Sequence, residues 1–272
     1  MKHIALLLFF TLSIFAGVVK TPILTLDNVN EVVTIKVDKI DVGVSGFIVH
    51  RLSKRTSSIL KSVEVIHYNE RTNIATLKMN NFDSLQQNSL PTGKWNVEVG
   101  DIAILAFGYT RALLIAPNEE IYYRITKATS QVHWLHPDIF TTILSFNGHP
   151  TPLKQDFSDM SNATASGLVF FYLHKKLFTV DAKSLKVINI SNAALNQEEV
   201  QLPFYSRINE IDANWWGEGS GELEEYEPYY CKLLIDSNPT NKEIQRICSM
   251  KSEKILEEES SWSIKSIYNS LF

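Results

Sequence analysis

The first half of the chain alternates hydrophobic and polar residues with the period of two that is typical of half-buried β-strands. Within residues 31–37, for example, Val33 and Ile35 fall on one face and Lys36 on the other. The strands predicted in this half are residues 31–37, 46–52, 62–68, 74–79, 94–99, 102–107 and 111–116. We expect them to form a small closed or nearly closed barrel, because closure removes exposed strand edges.

The pattern changes to a helical period after Pro117. Asn118 is a suitable N-cap for one helix, and Pro137 fits the first position of a second helix that ends at Asn147 and Gly148. Three strands joined by tight connections follow as a β-meander, residues 167–173, 176–181 and 186–190. The predicted fold class is therefore α+β, with a β-rich N-terminal barrel-like half, helices and a β-meander in the middle, and an acidic helical C-terminal segment.

The first twenty residues have the features of a secretory signal. Lys2 and His3 precede an apolar run over residues 4–15, and the small residues Ala16 and Gly17 follow it. The run is short of the roughly 20 residues that a membrane-spanning helix needs, although an uncleaved anchor stays open. We expect an exported protein with no membrane span after this leader.

The predicted domain organisation follows from the leader and from the change of pattern. It comprises a signal peptide at residues 1–19, a β-barrel-like domain at 20–116, an α+β domain at 117–207 and an acidic helical segment at 208–272.

Composition and charge exclude several classes of protein. The 11 glycines and 9 prolines are too few for a collagen-like or low-complexity chain. The net charge of −4 argues against a general nucleic-acid binder, which needs an excess of basic residues. The charge is uneven, since residues 208–272 contain 13 acidic and 6 basic side chains.

Residues 210–230 combine acidic and aromatic side chains and contain no Lys or Arg. One interpretation is a face that receives a basic partner, with carboxylates for attraction and aromatic rings for contact. The alternative is an ordinary acidic loop whose aromatic residues cover the core. The candidate partner-binding residues in this segment are Trp215, Trp216, Glu218, Glu222, Glu224, Glu225 and Tyr226.

Both cysteines, Cys231 and Cys248, fall in two predicted helices at residues 229–236 and 241–254, which a turn at 237–240 would fold into a hairpin. An even number of cysteines in an exported protein favours a disulfide, worth about 3 kcal/mol for a short loop. Two buried thiols are the alternative.

The sequence contains no recognisable catalytic motif, and we predict no catalytic residue, no bound metal and no cofactor. His133, His136, Asp138 and His149 could together supply metal ligands, but the general-base glutamate of a helical H-E-x-x-H motif is missing. An envelope enzyme or metal-dependent factor centred on these four residues is the alternative to a binding protein.

Several strings of the sequence resemble one family of exported proteins from host-colonising bacteria. The strings are residues 40–50 (IDVGVSGFIVH), 106–123 (AFGYTRALLIAPNEEIYY), 134–138 (WLHPD), 148–153 (GHPTPL), 202–207 (LPFYSR) and 211–215 (IDANW). The chain resembles the bacterial plasminogen-binding protein N-terminal domain family over about residues 20–230. The resemblance implies a periplasmic or surface-exposed protein, with host plasminogen among its partners.

Plasminogen's kringle modules are understood to bind lysine, so the resemblance directs attention to accessible lysines. Lys251 and Lys254 lie among glutamates on a predicted helix and are candidate contact residues. Solvated ion pairs along that helix are the alternative. The function predicted from the sequence is therefore a non-enzymatic exported binding or envelope-accessory protein of the periplasm or cell surface.

Overall fold

The structure is a computed structural model that describes residues 17–82, 95–195 and 199–249. Most of the predicted leader and both Lys251 and Lys254 lie outside these ranges. The described residues form a closed β-barrel, a second β-sheet and the helices packed against it. None of the helices within these ranges has the length and apolar character to cross a membrane.

Six antiparallel strands form the barrel, which confirms the β-rich N-terminal half. The strands are β1 (Val19–Asp27), β2 (Val32–Lys36), β3 (Ser45–Arg51), β4 (Ser57–Asn69), β5 (Ile74–Asn81) and β6 (Ile102–Leu105). Their order around the barrel is β1-β2-β5-β4-β3-β6, and β1 closes it by pairing Val19 with Leu105 of β6. Alternate side chains such as Ile35 and Leu77 fill the interior and are fully buried.

Two features of the barrel differ from the sequence prediction. The strand expected at 94–99 is irregular over residues 95–98 and turns at 99–100, where the backbone N–H of Gly100 donates to Ile23. Strand β1 was not predicted, because along its length only Ile23 is fully buried and Pro22 interrupts the β pattern. Its first residue, Val19, falls within the range assigned to the leader.

The second sheet has five strands in the order β11-β10-β9-β7-β8. They are β7 (Arg111–Ile115), β8 (His133–Leu135), β9 (Leu168–Leu173), β10 (Lys176–Asp181) and β11 (Val187–Asn192). β9, β10 and β11 form the predicted antiparallel meander, whereas β7 lies parallel to both β8 and β9. β7, predicted next to the barrel strands in the chain, therefore pairs in this sheet.

The helices pack around the two sheets, and the first two of them have clear caps. They are α1 (Glu119–Ala128), α2 (Pro137–Asn147), α3 (Lys154–Thr164) and α4 (Tyr226–Ser237), and residues 242–249 are also helical. The Asn118 side chain accepts a hydrogen bond from the Ile121 N–H at 2.9 Å, and Gly148 ends α2 in the left-handed conformation with φ of 71°. α3 was not predicted from the sequence.

A buried carboxylate joins the barrel to the second sheet. Asp181, fully buried at the end of β10, accepts hydrogen bonds from the Ser45 N–H at 3.0 Å, the Ser45 hydroxyl at 2.7 Å and the Tyr109 hydroxyl at 2.7 Å. Its other oxygen accepts from the backbone N–H groups of Lys183 at 3.0 Å and Ser184 at 2.8 Å. Because Ser45 belongs to β3, this carboxylate fixes the barrel against the turn after β10.

Candidate partner-binding surface

The acidic segment after residue 208 runs across the C-terminal end of α2. The backbone N–H of Asp212 donates to the Ser145 hydroxyl at 3.1 Å, and the N–H of Asn214 donates to the Gly148 carbonyl at 3.0 Å. A Cβ atom at Gly148 would lie 2.3 Å from the Asn214 side chain. The glycine that ends α2 therefore also makes room for this segment.

Thr151 holds the acidic segment at a second place, a few residues further along that segment. The Thr151 N–H donates to the Gly219 carbonyl at 3.1 Å, and the Thr151 hydroxyl donates to the Gly221 carbonyl at 2.7 Å. Between these two attachments, Trp215 and Trp216 are exposed by 93% and 80%. Two indole rings are thus presented to solvent from a loop whose ends are fixed.

A third large aromatic side chain, Phe146 of α2, is 92% exposed. Its chain neighbours both bind the acidic segment, since Ser145 accepts from Asp212 and the Asn147 carbonyl accepts from the Asn214 side chain at 2.7 Å. Single exposed hydrophobic residues are ordinary, but several together in one region mark an interaction surface. We call the following exposed residues the aromatic-acidic surface: Phe146, Trp215, Trp216, Glu218, Glu222, Glu224 and Glu225.

An acidic cleft adjoins this surface. It has a volume of about 390 Å³ and is lined by three carboxylates, those of Glu210, Asp212 and Glu222, and by apolar groups that include Phe204 and Leu223. Within the described ranges, no Lys or Arg lines it. The cleft therefore offers negative charge next to an apolar floor.

The nearest arginine in the chain does not offset this charge. The Nε–H of Arg207 donates to Oδ2 of Asp138 at 2.8 Å, and Nη2 of Arg207 lies 2.7 Å from the same Oδ2 atom. Burial raises the pKa of Asp138, but hydrogen bonds from Arg207 and Ser206 outweigh it and leave the pKa below its ordinary value. Arg207 is thus held in an ion pair, and the acidic segment keeps its negative potential.

Of the aromatic residues predicted to face a partner, Tyr226 is placed differently. It is only 3% exposed, and its hydroxyl donates to the carbonyls of Ile115 at 3.0 Å and Tyr172 at 3.1 Å. Burial raises the pKa of Tyr226 well above its ordinary value. The structure buries Tyr226 and does not present it to solvent, because α4 begins at this residue and its ring packs onto the second sheet.

The four residues of the alternative metal hypothesis are separated by their local roles. His133 is exposed on β8, His136 caps α2 and accepts from the Asp138 N–H at 3.3 Å, and the His149 ring lies 2.8 Å from Asp156. No three of the four bring their ligand atoms within 4.8 Å of one another in the described part of the chain. The alternative hypothesis of one centre built from these four residues therefore gains no support from the described part of the chain.

The two cysteines are brought together as the hairpin prediction requires. Their sulfur atoms lie 2.09 Å apart, joining α4 to the helical residues 242–249. A ring nitrogen of His174 lies within 4.8 Å of both sulfurs, and this is the one such group of three in the described ranges. Sulfurs bonded to each other are not thiolates, so this arrangement does not form a metal site.

Comparisons with known proteins place these features in a wider context. A family model described as "Plasminogen-binding protein pgbA N-terminal" matches residues 18–234, from the start of the barrel into α4. Two relatives, each named "Plasminogen-binding protein PgbA", come from Helicobacter pylori strains J99 and 26695. They are 27% identical over 196 and 198 residues, which is 71% and 72% of this chain and 42% of each relative. The chain thus matches less than half the length of these relatives. No solved structure matches it significantly.

Proposed function

This chain belongs to the plasminogen-binding protein PgbA N-terminal family, and from that premise we propose that it is an exported, non-enzymatic binding protein that contacts plasminogen. The name of the two relatives states plasminogen binding, and their similarity to this chain supports the same class of partner. The apolar run with basic residues before it supports export to the periplasm or cell surface.

The aromatic-acidic surface is the contact region in this proposal. The observation that carries it is the exposure of Phe146, Trp215 and Trp216 beside a segment without a basic residue. Tryptophan is enriched among residues that dominate binding energy, because it buries a large area and loses few rotamers. The carboxylates around it favour a basic partner surface, both by raising the association rate and by excluding acidic partners.

Surface plasmon resonance with immobilised plasminogen and the full chain tests the proposal. We expect the triple variant Phe146→Ser, Trp215→Ser and Trp216→Ser to weaken binding at least about tenfold, since one central aromatic residue often contributes 2 kcal/mol or more. Val29→Ser is the matched control, because Val29 is 92% exposed on the barrel and should not affect binding.

The role of charge and the role of lysine need separate measurements. Glu218→Gln with Glu224→Gln should slow association and reduce its salt dependence. Addition of a lysine analogue, together with the variant Lys251→Gln and Lys254→Gln, tests whether the kringle lysine sites are used. Binding that is lost only in the lysine variant would assign the contact away from the aromatic-acidic surface, and an absence of binding would reject plasminogen as the partner.

A further inference from the structure

A groove between the barrel, α3 and the turn after β10 has two compartments that meet at Lys183. The first is apolar, with a volume of about 390 Å³, and is lined by Phe47, Val49, Ile59, Phe82, Ile104 and Phe107. The second is polar, with a volume of about 490 Å³, and its lining includes Glu64, Asn80, Asn81, Gln155, Asp159 and Asn162. Volumes of roughly 300 to 1,000 Å³ are typical of small-molecule sites.

The apolar compartment lies on the outside of the barrel wall. The Phe47 ring, on β3, has its centroid 5.2 Å from that of Phe107 and 6.4 Å from that of Phe82. Phe107 remains 47% exposed. Because the barrel core is packed from side chains that point inward, these rings form a second apolar surface that water reaches, and an apolar ligand would remove that water.

Among the described residues, Lys183 is the only charged one in the lining of the apolar compartment. Its Nζ lies 5.8 Å from the centroid of the Phe47 ring, in cation–π range. The neighbouring carboxylate, that of Asp181, already accepts five hydrogen bonds, and within the described ranges Lys183 forms no ion pair. Burial lowers the pKa of Lys183, which indicates that its ammonium is partly removed from water.

We propose that this groove binds an organic anion with an apolar body, such as an acyl or aryl carboxylate. The apolar part of the ligand lies against Phe47 and Phe107, and its anionic group contacts the Lys183 ammonium, which forms no ion pair with any described carboxylate. The hydroxyl of Ser45 and the amide of Asn162 line both compartments and stand at the same junction. The anionic group stays at this junction, because Glu64 and Asp159 in the polar compartment would repel it further along.

Isothermal titration calorimetry of the full chain with three twelve-carbon probes tests the site. The probes are dodecanoate, dodecanol and dodecyltrimethylammonium, each used below its micelle concentration. We expect dodecanoate to bind about tenfold more tightly than dodecanol, because one hydrogen bond to a charged group contributes about that much to the affinity. We expect dodecyltrimethylammonium, the cation, to bind most weakly. A comparison of the affinities of dodecanoate and 2-naphthoate then shows whether the groove prefers an acyl carboxylate or an aryl carboxylate.

Variants separate the ionic contact from the apolar contact. Lys183→Met should reduce dodecanoate binding to the level of dodecanol, whereas Lys183→Arg should retain the preference. Lys127→Met, an exposed lysine on α1, is the matched control and should bind as the unaltered chain does. Phe107→Ser changes a half-exposed ring and should weaken both dodecanoate and dodecanol without unfolding the protein.

Three results would overturn the proposal. They are equal binding of the three probes, unchanged dodecanoate binding by Lys183→Met, and no binding of any probe. None of these measurements involves plasminogen, so a negative result for this site would not count against the proposed function, and the reverse also holds.

Discussion

Removal of the Asp181 carboxylate tests whether one buried group holds the barrel to the second sheet. Asp181→Ala deletes the acceptor for five hydrogen bonds, two of which come from Ser45 of β3. The backbone and side-chain groups that lose their acceptor belong to different parts of the fold, so the substitution acts on the junction between them rather than on one core.

The size of the effect follows from which donors water can reach. Ser45 and Lys183 are partly exposed, so solvent can replace Asp181 at these two residues. The Tyr109 hydroxyl and the Ser184 N–H belong to buried residues, with 8% and 7% exposure. Leaving a buried donor unsatisfied costs about 2 kcal/mol. Counting only the Ser184 N–H, we expect Asp181→Ala to lower the free energy of unfolding by at least about 2 kcal/mol.

Urea unfolding followed by circular dichroism measures this loss. Asp236→Asn is the control, because Asp236 lies on the exposed face of α4 in an ion pair with Lys232 and should contribute about 0.5 kcal/mol or less. A loss below about 1 kcal/mol for Asp181→Ala would refute the reasoning, since it would mean that the buried donors find other partners at no cost.

Two further predictions concern the C-terminal helices and the acid response. Non-reducing peptide mapping should find Cys231 linked to Cys248, and two free thiols would contradict this. Reduction should raise the rate of hydrogen exchange in α4 and leave the barrel protected, because the disulfide closes only a local loop. The pKa of Asp138 is lowered in the folded state because hydrogen bonds from Arg207 and Ser206 exceed the opposing effect of burial, so its carboxylate stabilises the fold above the ordinary value of 3.8 and this contribution is lost in more acidic solution. The stability difference between the unaltered chain and Asp138→Asn should therefore shrink as the pH falls below 3.8 in urea titrations, and a constant difference would contradict the assignment.

Much of the fold could be predicted from local pattern. Alternation in the first half predicted barrel strands, and Asn118, Pro137 and Gly148 marked helix ends that the structure confirms. The sheet in which β7 pairs could not be predicted, because its run of buried residues is compatible with either sheet and its partners are distant in sequence. α3 was missed since its sequence is mostly polar, with a short buried face that includes Phe157.

The candidate surface was predicted only in part. Trp215 and Trp216 stood out in a segment without basic residues, but Phe146 belongs to α2 and adjoins them only through the chain fold. The sequence carries no signal for it, because Phe146 follows Ile143 by three residues and Ile139 by seven and so continues the apolar stripe of its helix. Tyr226 was predicted to face a partner because it lies in an acidic run. An aromatic residue in such a run can equally begin a helix with buried residues, as Tyr226 does at the start of α4. The groove at Lys183 is formed by the barrel, α3 and the turn after β10, which are distant in sequence, so no local pattern could predict it.

The closure of the barrel pairs its first strand with a strand that is synthesised much later. β1 meets β2 within a few residues, but its other edge pairs with Ile102–Leu105 of β6, about 80 residues later. At roughly 5 to 20 residues per second, that edge waits about 4 to 16 seconds for its partner to leave the ribosome. During this interval β1 can pair with other nascent chains. Proteolytic removal of the chain through Pro22 would leave the β6 edge open permanently, because residues 19–22 form all of its pairing with β1, whereas Ile23–Asp27 could still pair with β2.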